Sequence, residues 1–260
     1  MRLLSHSSKI VVLGISLLAS RLCALSSSGS MRKQPIGRIT SLDRSKIDGA
    51  NDANFYSQPN LVTHTDDLFI QKLKSVYRDQ ISDNSVILDM CSSHVSHLPE
   101  SLSLKRVDVH GMNAEELELN QARAATNGSV FIRNLNDNPS FVGLCDVDGQ
   151  YDAVLCCVGV QYLEEPEAVF AEVSRILKPG TGKVIVSFTN RFFFQKALQG
   201  WINRGMKERA NLVRDYLRAA GGFDDIHILG DGTGIMTQLM SLGGMGGDPF
   251  VAVVATRSDE

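Results

Sequence analysis

A parallel, doubly wound α/β sheet is the fold class this sequence predicts, and three observations predict it. Short strand candidates, most of them apolar, recur along the chain at 86–90, 104–109, 130–132, 151–160 and 184–188. Between them lie segments whose apolar residues repeat at helical spacing, such as Phe69, Leu73, Val76 and Tyr77, or Val169, Val173, Ile176 and Leu177. The run 151–160 is apolar but for Asp152, which marks a strand buried on both faces, as strands inside a parallel sheet are. Strands alternating with helices give βαβ units.

Taken in order, residues 1–48 stand apart. Arg2 and Lys9 precede an apolar run, 10–19, and Arg21, Cys23, Ala24 and three serines follow, with no acid before Asp43. The run is too short to span a bilayer. It has the charged start, short apolar core and small-residue exit of a signal peptide, and the arginines, serines and missing acids equally suit a transit peptide. The expectation is therefore an address or disordered segment over 1–48 and a folded domain over 49–260. A plastid is the first destination, with the secretory pathway or a mitochondrion as alternatives, and the mature chain has no membrane span.

The folded part begins with the aromatic stretch 55–59. Thr65 can cap the first helix, and Asp66 and Asp67 suit its positive N-terminus. The strand at 86–90 follows, then the strand at 104–109. Asn113 starts a helix with Glu116 as its capping-box partner. The strand at 130–132 runs into Asn134, Leu135 and Asn136. Pro166 opens a helix that Lys178-Pro179-Gly180 stops. A helix over 207–220 closes at Gly221-Gly222, and late strands fall at 225–229 and 250–255. The glycine- and methionine-rich stretch 230–247 reads as a mobile loop. No internal repeat is present.

Bulk properties exclude several classes. With 260 residues, 43% hydrophobic and 21% charged, the chain can bury a sizeable core. A net charge of −3 indicates no nucleic-acid partner. Cys23, Cys91, Cys145, Cys156 and Cys157 fit neither a zinc spacing nor a disulfide framework, so no metal is expected.

The stretch 86–99 is where function is expected. Apolar Val86-Ile87-Leu88 runs into Asp89 and then into the small residues Cys91, Ser92 and Ser93. In an open α/β sheet, ligands bind just past the carboxyl ends of strands. Small side chains there admit a ligand to the backbone, and Asp89 can fix amides or a ligand ammonium. The G-x-G-x-x-G fingerprint of a dinucleotide site is missing, which disfavours a nicotinamide dehydrogenase.

The order of these pieces resembles the class I S-adenosylmethionine-dependent methyltransferases, in particular the type 11 branch. The strongest local carrier is 151–163, Tyr151-Asp152-Ala153-Val154-Leu155-Cys156-Cys157-Val158-Gly159-Val160-Gln161-Tyr162-Leu163, with the helix exit Arg175-Ile176-Leu177-Lys178-Pro179-Gly180. Phe55-Tyr56-Ser57, Val62-Thr63-His64, Leu88-Asp89-Met90-Cys91-Ser92-Ser93, Gly111-Met112-Asn113 and Ser187-Phe188-Thr189-Asn190-Arg191 look more narrowly like an uncharacterised methyltransferase-like group of cyanobacteria, plants and algae. The resemblance implies a Rossmann-like, seven-stranded, mostly parallel sheet with a reversed last strand. It implies S-adenosyl-L-methionine as cofactor, lying across the first, second and fourth strands. Asp89, Cys91, Ser92, Ser93 and His94 would flank its methionine part. Gly111, Met112 and Asn113 would follow the second strand, Asn134, Leu135 and Asn136 would sit near the adenine, and Cys157, Val158, Gln161 and Tyr162 would line the floor near the methyl group.

Two positions depart from the family. Cys91-Ser92-Ser93 stands where Gly-x-Gly is usual, and Gly111 stands where an acid usually ends the second strand and accepts the ribose hydroxyls. Asp108, three residues earlier, or Asn113 could compensate. Methyl transfer is an in-line displacement that needs chiefly alignment, and a base only where the acceptor arrives protonated. His64, His97 and Tyr162 are base candidates by type, and Tyr56 could close over the sulfonium. Phe192-Phe193-Phe194 and Trp201 either pack under a helix or present a wall to a ring-bearing acceptor. Lys196, Arg204, Lys207 and Arg209 read as a solvated basic face. The expected function is methyl transfer to an unknown small-molecule or protein acceptor. The competing reading is a methyltransferase-fold pseudoenzyme that binds or scaffolds a partner in an organelle.

Overall fold

The structure, a computed structural model, describes residues 40–230 and 247–260. Seven strands form one sheet: β1 Val86–Asp89, β2 Arg106–Gly111, β3 Val130–Ile132, β4 Ala153–Cys157, β5 Lys183–Phe188, β6 Phe223–Gly230 and β7 Val251–Arg257. Their order is β3-β2-β1-β4-β5-β7-β6. The first five pair in parallel, and β7 runs antiparallel to both β5 and β6. The sheet is thus seven-stranded and mostly parallel with a reversed last strand, as expected.

Helices cover both faces because strand residues alternate in direction. On one face α2, Asp67–Gln80, buries Phe69, Leu73, Val76 and Tyr77 against Ile87, Val107, Leu155 and Ile185. On the other, α5, Pro166–Ile176, and α7, Met206–Ala220, bury Val169, Phe170, Val213 and Leu217 against Leu88, Val154, Val186 and Val253. Four short helices complete the set: α1 Asp52–Phe55, α3 Ala114–Glu118, α4 Gln121–Ala125 and α6 Gln199–Ile202. Among the described residues no helix is long and apolar enough to cross a membrane.

Several local expectations are corrected. The cap of α2 is Asp66, whose side chain accepts from Phe69 N, while the Thr65 hydroxyl turns back to Thr63 O. Strand β2 lies two residues later than the strand expected at 104–109. The apolar run 151–160 does not stay a strand. It ends at Cys157, because Val158 takes a left-handed φ of 46° and a 3₁₀ turn, Val160–Tyr162, follows. Asn113 does cap α3, but the Glu116 carboxylate does not return to close a capping box. It accepts from Asn60 N at 2.7 Å and from Ser93 Oγ at 2.7 Å.

Residues 40–48, placed by composition in the leading segment, are anchored on the folded domain. Arg44 makes a two-pronged pair with Glu167, Asp43 meets Arg204, and Lys46 bridges to Leu198. Charged pairs and backbone hydrogen bonds, such as Gln199 N to Ser45 O and Gly200 N to Asp43 O, do this anchoring, so no apolar stripe announced it. The basic face is corrected likewise. Lys196 is only 1% exposed and paired with Asp48 and Asp52, and the buried Arg209 lies over Phe192 and Trp201; Lys207 alone is exposed. Residues 1–39, and with them most of the address segment, and 231–246 of the glycine- and methionine-rich loop lie outside the described residues.

Candidate functional site

Strand β1 delivers Asp89 to the carboxyl edge of the sheet, where its side chain is only 3% exposed. The chain then turns sharply, with Cys91 at φ 53°. Two contacts with the end of β2 hold this loop: Ser92 N donates to His110 O at 2.8 Å, and Cys91 N to His110 Nδ1 at 3.3 Å. The second contact makes Nδ1 the acceptor, leaving Nε2 to donate to Arg133 O at 3.1 Å. The loops after β1 and β2 therefore touch, backbone to backbone. A Cβ on Gly111 would come within 2.7 Å of Ser92 O. No side chain fits there, so the acid absent from position 111 is excluded by the path of the first loop. Gly159, after β4, is fixed the same way: its Cβ would lie 2.5 Å from that of Cys91.

Above this edge lies a cavity of about 420 Å³, within the range of small-molecule sites. All the expected site residues line it except His94: Asp89, Cys91, Ser92 and Ser93 after β1; Gly111, Met112 and Asn113 after β2; Asn134, Leu135 and Asn136 after β3; Cys157, Val158, Gln161 and Tyr162 after β4. His94 instead faces a neighbouring groove with Val95, Ser96 and Leu98, because Asn120 Nδ2 donates to Ser93 O at 3.1 Å and turns the chain aside. Asp108 does not reach the cavity. Its buried carboxylate accepts from Ser129 N and Tyr151 Oη, both at 2.8 Å, and pairs with Arg106 Nε at 3.0 Å. Asn113 is also committed, capping α3 and donating to Tyr56 O at 3.0 Å.

Much of the polar lining is tied up internally. Asn136 donates to Asp52 and Tyr162 O and accepts from Glu164 N. Asn134 accepts from Asn136 N and donates to Asp137. Asp89 is the exception: the Ser92 hydroxyl donates to it at 2.6 Å, the Ser96 hydroxyl also favours its charged form, and no cationic side chain pairs with it among the described residues. Burial outweighs those hydroxyls and raises its pKa to about 6.

A second set of lining residues comes from the segment 52–64 and from Arg191, Phe192 and Phe193 after β5. Phe193 is its hub, 5.1 Å from the Phe55 ring, 5.7 Å from His64 and 6.1 Å from Tyr162, which lies nearly parallel to it. Phe192 packs under Arg209, and Phe194 stacks on Phe192 while 56% exposed, so the three phenylalanines divide between packing and cavity. Tyr56 lines the cavity with its ring against Phe55. The sequence reading missed Asp52, His110 and Arg133, and read Glu116 only as a cap. A signal existed for His110, which lies two residues beyond Asp108 on the same strand face and nearer the edge. Asp52, Glu116 and Arg133 arrive through long-range packing that no local pattern encodes. Among the described residues no group of three or more His, Cys, Asp or Glu could hold a metal.

An open sheet of this order, reversed in its last strand and carrying a cavity over β1, β2 and β4, defines a Rossmann-like α/β protein of the methyltransferase type. Residues 90–186 match the family model described as a methyltransferase domain. No curated protein matches the sequence. Solved structures resemble the fold at low identity. Phosphoethanolamine N-methyltransferase 2 of Haemonchus contortus, in complex with S-adenosyl-L-methionine, is 11% identical, with a TM-score of 0.48 over 72% of this chain and 52% of that one. An S-adenosylmethionine-dependent methyltransferase of Mesorhizobium loti is 15% identical, with a TM-score of 0.47 over 70% and 96%. Geranyl diphosphate C-methyltransferase of Streptomyces coelicolor, in complex with Mg2+, geranyl diphosphate and S-adenosyl-L-homocysteine, is 17% identical, with a TM-score of 0.46 over 72% and 79%. The chain spans about half the length of the first of these.

Proposed function

We propose that this chain is an S-adenosyl-L-methionine-dependent methyltransferase. The observation that carries the reading is Asp89, a buried carboxylate at the end of β1 with hydroxyl partners and, among the described residues, no cation. Such a charge is costly unless paired, and an amino-acid ammonium is the complement it lacks. The residues present fit the cofactor: Asp89 for the ammonium, the small loop Cys91-Ser92-Ser93 for the methionine carboxylate, and Leu135 for an apolar ring face. When bound, the cofactor supplies an electrophilic methyl group on a sulfonium. The chain's part is to orient the acceptor against it and to keep water out. Phe55, Tyr56, Tyr162 and Phe193 are suited to that, as a wall of rings on one side of the cavity.

Titration calorimetry of the full chain with S-adenosyl-L-methionine tests this. Binding at a single site, competed by S-adenosyl-L-homocysteine, is expected, with proton release near pH 6 as the ligand cation draws Asp89 into its charged form. Absence of heat at millimolar cofactor would overturn the enzyme and favour the scaffold reading.

For the leading segment we infer an organellar address, most simply to a plastid, resting on the basic-flanked apolar run and the acid-poor, serine-rich stretch after it. A fluorescent fusion of residues 1–39 should enter the organelle. Diffuse cytosolic signal sinks the address, and secretion sinks the plastid.

A further inference from the structure

We propose that His64 is the proton acceptor for an uncharged, ring-bearing hydroxyl substrate of the phenol class, held against Phe193. The proposal rests on the methyltransferase reading and deepens it by naming the acceptor and the base.

Four observations carry it. The first is backbone conformation. His64 has φ 58°, and Thr65 N donates to Thr63 O at 2.7 Å, so His64 is the central residue of a γ-turn of positive φ, a rare and strained form. The Thr63 hydroxyl adds a bond to Thr65 O at 3.1 Å. Strain of this kind persists only where the surroundings impose it, and it clusters at functional sites. The turn delivers the imidazole to the cavity wall.

The second is that both imidazole nitrogens are without a hydrogen-bond partner among the described residues. The imidazole contact is with the Phe193 ring edge. His110, by contrast, has both nitrogens occupied, and His94 lies outside the cavity bonded to Ser93. His97 is nearly fully buried, and its pKa falls to about 4, too weak a base for this task. The Tyr162 hydroxyl accepts from Phe193 N, and burial holds it protonated. His64 is only half-buried. Desolvation lowers its pKa below 6.5, Glu116 opposes that and His94 adds to it, so the ring is neutral at pH 7.

The third is the chemistry of the wall. Phe55, Phe193 and Tyr162 present ring surface beside His64, and Phe55 is 40% exposed. Flat apolar groups are bound by such surfaces. The fourth is charge. On this side of the cavity Asp52 is paired with Lys46 and Lys196, Glu116 accepts from Asn60 and Ser93, and Arg191 is paired with Asp248. Among the described residues no unpaired cation remains there to select an anionic acceptor, and Glu116, which has neutral donors only, is the one carboxylate on this side without a cationic partner.

In the step, the acceptor hydroxyl proton passes to a free nitrogen of His64, giving imidazolium. The acceptor oxygen bonds the methyl carbon, and the carbon–sulfur bond breaks with its electron pair going to sulfur, which leaves as a neutral thioether. The charge of the sulfonium thus reappears on His64 and is lost to solvent with the proton.

The test uses 7-hydroxycoumarin, whose phenol and phenolate forms absorb at different wavelengths, added to the full chain at pH 7. Wild type should bind it and raise its phenolate fraction above that of the free probe. His64→Asn, which tolerates the left-handed turn, should bind it with similar affinity but leave the phenolate fraction at the free value. Phe193→Ala should keep the ionisation and weaken binding by about tenfold. Equal phenolate fractions in wild type and His64→Asn overturn the base, and S-adenosyl-L-methionine binding without any probe binding overturns the acceptor class. If the cofactor itself does not bind in parallel calorimetry, the methyltransferase reading falls and takes this inference with it. Should His64→Asn not fold, the wild-type ionisation and the Phe193→Ala affinity still decide the matter. With turnover in hand, rate should fall with acid through the His64 pKa, below 6.5, and drop by about a hundredfold in His64→Asn.

Discussion

The floor of the cavity and its roof are built by different physics. The floor, from the loops after β1, β2 and β4, is fixed by backbone. Cys91 and Val158 hold left-handed conformations, Gly111 and Gly159 allow contact closer than a Cβ permits, and His110 clamps one loop to the other. The roof, 52–64, has one four-residue helix and otherwise no regular structure. It is held by side chains: Lys46 and Lys196 converge on Asp52, Glu116 reaches Asn60, and Phe55 meets Phe193. A backbone-built floor keeps its shape whatever side chains change around it, which suits a ligand that never varies. A side-chain-built roof can be re-lined residue by residue, which suits the partner that does vary. On the proposed function, the floor would hold the cofactor and the roof the acceptor.

Breaking the roof's anchor gives the largest expected effect. Lys196 is 1% exposed, and its Nζ meets Asp48, Asp52 and Ala50 O. Lys196→Ala leaves the buried Asp52 with only Lys46 as a cation and opens a void. Removing one partner of a buried pair costs about 3–5 kcal/mol, and for a domain of this size each kcal/mol lowers Tm by roughly 2–4 °C. Calorimetric melting should therefore show a fall on the order of 10 °C. An unchanged Tm would mean that the roof does not depend on this pair.

Asp89→Asn sharpens the contrast by separating stability from binding. Asp89 has its folded pKa raised to about 6 from 3.8, so its protonated form favours the fold. That contribution is fully present below 3.8 and is lost as pH rises through about 6. Asparagine is neutral throughout, so the variant should melt no lower than wild type at pH 8 and should show less loss of stability between pH 4 and pH 7. Cofactor affinity should nevertheless fall by roughly a hundredfold, the loss of two charge-assisted hydrogen bonds. Binding as tight as wild type would remove Asp89 from the site.

The same division explains what the sequence made legible. Of the strands that carry the floor, β1 and β4 are short apolar runs with Asp89 and Cys157 at their ends, so pattern and punctuation place both on one edge of the sheet. Loop direction is not encoded that way: His94 follows Ser93 in sequence but is turned aside by Asn120, and position 111 lost its acid to a contact with Ser92. The roof was less legible. Phe55-Tyr56 and His64 stand out as motifs, but Lys196 resembles a surface charge, and residues 40–48 have the composition of a tail. What holds them is pairs more than a hundred residues apart, such as Lys196 with Ala50 O, and no window of sequence contains both partners.

The smallest effect is expected where the roof's leading residues meet solvent. Arg44 grips Glu167 with two hydrogen bonds, 3.0 and 2.7 Å, and donates to Glu164 O at 2.6 Å. Its geometry is better than that of most surface pairs, and Glu167 raises its pKa. Yet the two side chains are 31% and 18% exposed, so water competes for both. Such pairs contribute about 0.2–1 kcal/mol, and Arg44→Ala should lower Tm by roughly 2–4 °C at most. Because salt screens exposed charges within ~3 Å at 1 M, most of that difference should vanish in concentrated sodium chloride, whereas the Lys196→Ala deficit should persist. Cofactor binding should be unchanged, since Arg44 touches none of the floor. If Arg44→Ala instead costs as much as Lys196→Ala, and does so independently of salt, then the anchor of the roof is not the buried lysine but the whole ribbon from Asp43 to Asp52 acting as one cooperative unit.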